Sequence, residues 1–400
     1  PSGVYFGIGF HRKLVKILKT LKNKGHSFIS QDEEGLDRWA PELYKEYRID
    51  SEINSFLDYF LCWSSEDKEI IDSAFQKSIK SIPVGNLRLD LLNSNLRQIF
   101  MEDVEVLKKN YGEFVLINGK FGTVNHANGL DYYLEDIKMR GWIDTPFKKK
   151  FHFERIEFQK IIFEKMIELS IALAKSGKKV VVRPHPSENL NVWKDKTKNY
   201  SNNIKIIRSG NIIPWLMASK LIIHNGCTTA IEGSLLDKTV ISYRPHKNPN
   251  VETYLPNTVS ISIENKEDVV DFIKKFDSGK LNLSNKNSIN LLNNYFKIEN
   301  NKEDASFKIL NIIENLSKKK TLKINNIKDN ILIEFVIIKS LIGNFIYKKN
   351  FSYMKSKCSG LDKKEAYKNL KLFSEIKKNK HNIKISNLSK NSLIISINNN

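Results

Sequence analysis

Two polar clusters, each directly after a short apolar run, hold the residues most able to do chemistry. Arg183-Pro184-His185-Pro186-Ser187-Glu188 follows the β-branched stretch 179–183, and Asn225-Gly226-Cys227-Thr228-Thr229 follows Leu221–Ile223. If both runs are parallel strands of one sheet, both clusters fall on its carboxyl edge, where open α/β sheets bind ligands. Thr228 and Thr229 also begin a helical pattern, and the first turn of a helix offers backbone N–H groups and a dipole that favour phosphate. The imidazole of His185 opposite such a turn can hydrogen-bond the same phosphate and protonate it as it leaves. Glu232, one turn further on, is placed to accept hydrogen bonds from ribose hydroxyls. Arg183 and Pro186, and Asn225, Gly226 and Cys227, flank these groups and are assigned with them to nucleotide and phosphate binding.

A second source of chemistry is the acidic triplet Asp32-Glu33-Glu34, closed by Gly35, after the apolar run 27–30. A carboxylate there can act as general base toward an acceptor hydroxyl, or as nucleophile in a double displacement; spacing does not choose among the three. A third is the loop 118–126, in which Asn118, Asn125 and His126 can reach a sugar or phosphate, or else form a purely structural turn. Arg88 and Asp90 suggest an internal ion pair, Arg244 a phosphate contact or a surface cation, and His224 a core-edge residue satisfied by backbone hydrogen bonds, which is also the alternative for Asn225. Cys62 and Cys227 read as small buried residues, since neither has the partners of a nucleophile. No cysteine or histidine spacing fits a zinc site, so no metal is expected.

The elements that must position these groups alternate strand and helix. Strands are expected at Val4–Ile8, 27–30, 59–63, 82–84, 114–117, 179–183, 204–207, 221–223 and 240–243. Helices are expected near 14–24, from Ser65, across 91–111 and over 153–175. This predicts an α/β protein with two Rossmann-like, doubly wound domains facing a cleft, residues 1–95 and residues 96–265. Residues 266–400 read as a mostly helical, Lys/Asn-rich extension, docking or membrane-associated rather than catalytic. Within it, 331–347 suggests a packed amphipathic helix, with a membrane-surface helix as the alternative.

On these motifs the chain resembles bacterial surface-carbohydrate biosynthesis proteins. It is also similar to the wider GT-B glycosyltransferases with an HP motif and a later Ser/Thr motif, which include sialyltransferases, Kdo transferases and, more distantly, teichoic-acid glycerophosphotransferases. The matching pieces are 32–36, 85–90, 118–126, 183–188 and 224–233, in order over about residues 3–260. The resemblance implies that His185 binds the leaving nucleotide phosphate and serves as general acid, that Thr228 and Thr229 bind phosphate, and that Glu232 binds ribose. It implies a CMP-activated donor, Kdo or a nonulosonic acid, used without a metal cofactor, and a glycan or lipid-linked acceptor. Cys227 stands where several relatives have serine, which leaves open the hydroxyl that contacts phosphate. The resemblance further implies a strand and helix upstream of Pro1. Two alternatives share the architecture: a UDP-sugar epimerase or hydrolase, and a non-catalytic assembly module.

Composition bounds the remaining classes. With 40% hydrophobic and 10% aromatic residues in 400, the chain can bury two cores. The net charge of +20 comes from lysine scattered throughout, and aromatics do not interleave with basic clusters, so nucleic acid is not an expected partner. Such a surface favours phosphate-bearing substrates and the anionic face of a membrane. No secretory leader opens the sequence, and the three cysteines are scattered; the expected place is the cytoplasm, at most peripheral at the inner membrane face.

Overall fold

Near-continuous valine, isoleucine and leucine runs, too short for helices, are strands buried on both faces, as a helix-covered parallel sheet requires. A computed structural model shows these runs as strands, fully buried in the four central strands of the second sheet, and describes residues 3–8, 15–32, 52, 55–74, 79–281, 286–296, 304–317, 362–376, 382–389 and 392–398. The first unit comprises β1 (Val4–Ile8), α1 (Val15–Asn23), β2 (Ser27–Gln31), β3 (Tyr59–Cys62), α2 (Ser65–Ala74) and β4 (Ser81–Pro83). Its four strands are parallel and lie in the order β1-β2-β3-β4. The short α3 (Leu87–Asp90) and then α4 (Met101–Tyr111) lead into the second unit.

That unit runs β5 (Val115–Asn118), α5 (Leu130–Met139), α6 (Pro146–Lys175), β6 (Val180–Arg183), α7 (Leu190–Thr197), β7 (Ile204–Ile206), α8 (Ile212–Ala218) and β8 (Leu221–His224). It continues through α9 (Thr229–Leu235), β9 (Val240–Tyr243), α10 (Tyr254–Thr258), β10 (Ile261–Ile263) and α11 (Lys266–Asp277). The six strands are parallel in the order β10-β9-β8-β5-β6-β7. The chain winds outward from β5 through β6 and β7, then returns to β8 on the other side of β5. The loops after β5 and β8 therefore diverge and leave a crevice at the switch point. Both faces of the sheet are covered. Ile162, Met166, Leu169 and Leu173 of α6, with Trp193, cover one; Phe114, Trp215, Leu216 and Ile231 cover the other. These are the expected two Rossmann-like domains; among the described residues the strand order reverses in the second sheet.

The expected long helix begins seven residues earlier than its apolar period suggests. Thr145 accepts a hydrogen bond from the Lys148 N–H at 3.3 Å and Pro146 occupies the first turn, a Thr-Pro start signal visible in the sequence. Beyond residue 265 the chain is helical in α11, α12 (Lys286–Phe296), α13 (Ala305–Ser317) and α14 (Lys363–Ile376), but it ends in an antiparallel hairpin, β11 (Asn382–Ser389) and β12 (Ser392–Asn398). The hairpin departs from the helical expectation; isoleucines two apart, at 383 and 385, carry the strand period.

These later helices belong to both cores. Val269 and Ile273 of α11 complete the second. Leu292 and Phe296 of α12 join a cluster that holds Trp63, Leu89 and Leu92 against Phe114 and Trp215, so apolar contact runs between the units. Ile309 and Leu316 of α13 pack on Ile29, Leu61 and Val84 of the first sheet. The 331–347 segment lies outside the described residues. No described helix is long and apolar enough to cross a membrane.

Ile309 is 3% exposed against the first sheet. Ile309→Ala should destabilise the protein by about 2–5 kcal/mol, the cost of a buried aliphatic cavity. Urea unfolding measures this, and an unchanged midpoint would show that α13 is not part of that core.

Candidate functional site

The residues at the strand ends of the second sheet converge on one cavity of about 540 Å³. From β5 and its loop come Asn118, Gly119 and Lys120; from β6, Arg183, Pro184, His185 and Pro186; from the turn after β8, Cys227, Thr228, Thr229 and Glu232. Arg208, Gly210 and Ile212 close one side, while Trp63, Arg88 and Leu89 of the first unit close another. Four cations (Arg88, Lys120, Arg183, Arg208) face one carboxylate, Glu232, so the cavity is strongly positive and suits an anion.

The loop after β6 is built around Glu188, which has no solvent exposure. Its carboxylate accepts from the Phe121 N–H at 3.0 Å, the His185 N–H at 2.8 Å, Trp193 Nε1 at 2.8 Å and Asn125 Nδ2 at 3.4 Å. Burial pushes this carboxyl above the usual carboxylate range, and the four donors oppose that shift. One buried group thus ties the 183–188 loop to the 118–126 loop. Gly119 makes room for it, since a Cβ there would stand 2.7 Å from Glu188 Oε1. With the loop so fixed, His185 Nδ1 accepts from the Ser187 N–H at 3.2 Å and lies 2.7 Å from Ser187 Oγ. A backbone N–H can only donate, so Nε2 carries the proton of the neutral imidazole.

The turn after β8 is set by His224, which is fully buried. Its Nδ1 accepts from the Cys227 N–H at 3.2 Å and its Nε2 reaches Ser260 Oγ at 2.8 Å. Burial, with a smaller push from Lys120, lowers its pKa from 6.5 to about 3, so it stays neutral and structural, in line with the core-edge expectation. Gly226 adopts φ +64, and a Cβ would meet Thr253 Oγ1 at 2.6 Å; only glycine suits the position. Thr228 caps α9 without a side-chain cap bond and lines the cavity. The Thr229 hydroxyl accepts from Asn118 Nδ2 at 2.9 Å and donates to Cys227 Sγ at 3.1 Å. Burial raises the Cys227 thiol pKa, which removes it as a nucleophile.

Two acceptor atoms stand buried in the wall without a hydrogen-bond partner: Asn118 Oδ1 and Glu232 Oε2, on residues 3% and 4% exposed. Glu232 Oε1 takes Arg88 Nε of the first unit at 2.6 Å, and burial outweighs that cation in raising the carboxyl pKa. The site therefore combines cations with acceptors that want donors such as hydroxyls.

Several expectations are corrected. Arg183 lines the cavity, but its terminal nitrogens donate to the carbonyls of Arg208, Ser209 and Gly210 and its guanidinium sits 4.9 Å from the Trp215 ring centroid, because a buried Arg must satisfy its donors within the loop. Asn125 serves Glu188 and the Asn189 carbonyl, and His126 accepts from the Asn128 N–H and stacks on Tyr132; neither lines the cavity. Asn225 donates to the Tyr243 carbonyl at 2.8 Å, away from the cavity. Arg88 pairs with Glu232, not with Asp90, whose carboxylate accepts from the Ser306 N–H at 3.0 Å at the start of α13. Arg244 is held by both oxygens of Glu252. Asp32 is buried at the end of β2; its carbonyl accepts from Trp63 Nε1 at 2.6 Å, but it does not line the cavity. Glu33 and Glu34 lie outside the described residues.

No protein-family model matches the chain, and no curated protein matches it. Solved structures of similar fold include the wall teichoic acid polymerase TagF soaked with CDPG, at 13% identity over 78% of this chain and 71% of that one, with a TM-score of 0.46. A glycosyltransferase from Rickettsia africae shares 15% over 80% and 78%, TM-score 0.43. The Methanocaldococcus jannaschii UDP-GlcNAc 2-epimerase in complex with UDP-GlcNAc and UDP shares 18% over 75% and 79%, TM-score 0.40. Likeness this remote assigns no chemistry to the chain.

Sequence reasoning did not single out Lys120, Arg208 or Glu188. Lys120 sits inside a loop already singled out, and its Nζ reaches the Gly226 carbonyl at 3.3 Å. Glu188 ends a motif already quoted. Arg208 gave no signal, since it follows β7 in an ordinary loop. Among the described residues no three His, Cys, Asp or Glu side chains converge as metal ligands do.

Two outcomes follow from these buried groups. Glu188→Gln, though nearly isosteric, turns one acceptor oxygen into a donor facing donors, and should cost about 2–4 kcal/mol in unfolding experiments; an unchanged stability would show that the carboxylate does not hold the loops. For His224, the folded-state pKa of about 3 lies below the ordinary 6.5, so the unfolded chain takes up the proton first as pH falls. Its contribution is complete above pH 6.5 and is lost toward pH 3. Relative to His224→Gln, the wild type should lose up to about 1.4 kcal/mol per pH unit across that window. Parallel pH profiles would show instead that His224 titrates normally.

Proposed function

We propose that the chain is a glycosyltransferase that binds a nucleotide-activated sugar in the 540 Å³ cavity at the switch point of its second sheet. The observation that carries this reading is the joint presence of four cations and the buried, unpartnered Glu232 Oε2 and Asn118 Oδ1 in one cavity lined from both units. A nucleotide sugar offers both halves of the match: phosphate oxygens for Lys120, Arg208 and the Thr228 hydroxyl, and ribose or sugar hydroxyls for the acceptors. In this reading Glu232 accepts from the ribose, and His185 stabilises and protonates the phosphate as the glycosidic bond to it breaks. The favoured donor is CMP-activated Kdo or a nonulosonic acid, with a glycan or lipid-linked acceptor in surface polysaccharide synthesis. That choice rests on the HP-type motif resemblance. The acceptor hydroxyl is assigned to a carboxylate of the triplet Asp32, Glu33 and Glu34; of these, Asp32 bonds the cavity-lining Trp63 through its backbone carbonyl.

Thermal unfolding with CMP, CDP, UDP and GDP tests the binding half. The cognate nucleotide at 100 times its Kd should add about 2.7 kcal/mol of stability. Glu232→Ala should abolish that shift. His185→Ala should keep the fold and lower transfer to a sugar acceptor by roughly two to four orders of magnitude, the usual weight of positioned acid catalysis. Absence of stabilisation by any of the four nucleotides, or full transfer by His185→Ala, would overturn the reading.

A further inference from the structure

The first turns of α6 overhang the sheet. Its 30 residues span about 45 Å, against about 13 Å for a four-residue strand. Asn248 and Asn250, in the loop after β9, donate to Glu154 at 2.9 and 3.1 Å, which sets Glu154 level with the carboxyl edge of the sheet. Residues before Glu154 therefore project beyond that edge, on the side where the cavity opens.

This projecting tip is both greasy and basic. Phe147 and Phe153 are 54% and 43% exposed, and Met139 at the end of α5 is 80% exposed. The connection between α5 and α6 is clamped onto the tip: Trp142 stacks on His152 with centroids 5.7 Å apart, and Lys148 Nζ bonds the Gly141 carbonyl at 3.2 Å. Over residues 138–150, Lys138, Arg140, Lys148, Lys149 and Lys150 stand against Asp144 alone, five positive charges to one negative. Lys138, Arg140, Lys149 and Lys150 are exposed.

We propose that this tip docks on an anionic lipid surface, with Met139, Phe147 and Phe153 entering the headgroup boundary and the surrounding Lys and Arg contacting lipid phosphates. Convex shape and charge favour lipid over a protein partner. A helix start and its preceding turn protrude and form no groove, and protruding apolar tips ringed by long basic side chains suit a deformable, negatively charged interface. Docking of this kind holds the cavity side of the second domain toward the membrane. If the glycosyltransferase reading stands, the acceptor is then presented by a lipid; the docking itself does not depend on that reading.

Sedimentation of the full chain with vesicles tests the proposal. Binding is expected to vesicles of equal parts phosphatidylglycerol and phosphatidylcholine, and not to phosphatidylcholine alone. Lys149→Ala/Lys150→Ala should bind about thirtyfold more weakly, since each lysine near such a surface adds about a factor of five. Phe147→Ser/Phe153→Ser should weaken binding by tenfold or more. Lys194→Ala/Lys198→Ala, exposed on α7 and at its C-terminal cap, removes the same charge and should bind as the wild type. All three variants should keep the parent melting temperature and its nucleotide shift, so failure of docking is distinguishable from failure of the nucleotide reading. Equal losses from both lysine pairs would assign binding to diffuse charge and overturn the proposal. So would phenylalanine variants that bind normally, or a wild type that ignores anionic vesicles.

Discussion

A single buried carboxylate organises the site. Glu188 has no solvent exposure, and its four donors come from two different loops and from α7. An ion or acid in such a place is costly unless every lone pair is used, so the loops must close on it in one arrangement. That arrangement fixes the backbone of His185 and, through the Ser187 turn, the tautomer of its ring. The imidazole reaches the cavity because a residue three positions later is anchored beneath it.

The same logic of satisfaction separates the cations. Arg183 is 8% exposed and gives its terminal nitrogens to three carbonyls, with Trp215 against its face. Burial lowers its pKa only to about 10, so it keeps its charge at neutral pH. It orders the 208–210 loop and adds to the positive potential without offering those nitrogens to a ligand. Arg208 bonds the Pro186 and Glu188 carbonyls with Nη1, which ties this loop back to the motif after β6. The cationic wall of the cavity is thus a set of braced loops, a form of preorganisation that reduces the cost of gathering like charges in one place.

The two domains meet at the site through different forces. Trp63, Leu89 and Leu92 share an apolar cluster with α8 and α12, which holds the units together without regard to ligand. Arg88 to Glu232 is the polar counterpart, a half-exposed guanidinium reaching a buried carboxylate. The buried carboxylate of the second domain therefore holds a cation of the first through Oε1. The oxygen beside it, Oε2, is buried without a partner, so the inter-domain contact and the open acceptor share one side chain.

The sequence by itself determined the sheets. Nine strands are legible as short apolar, β-branched runs, because strands buried on both faces have no polar alternative, and their polar carboxyl ends mark the crevice edge. Asn118, His185, Thr228 and Glu232 are legible for the same reason and do line the cavity. Tertiary structure decided which polar residues remain for a ligand. Arg183, Asn125 and Asn225 have the right types in the right loops, yet backbone carbonyls claim them, and that competition involves atoms 18 to 64 positions apart. It also decided the Arg88–Glu232 pairing across 144 positions, where local spacing had favoured Asp90. Strand period is a local property of side-chain alternation and burial; hydrogen-bond satisfaction is settled only when distant loops meet.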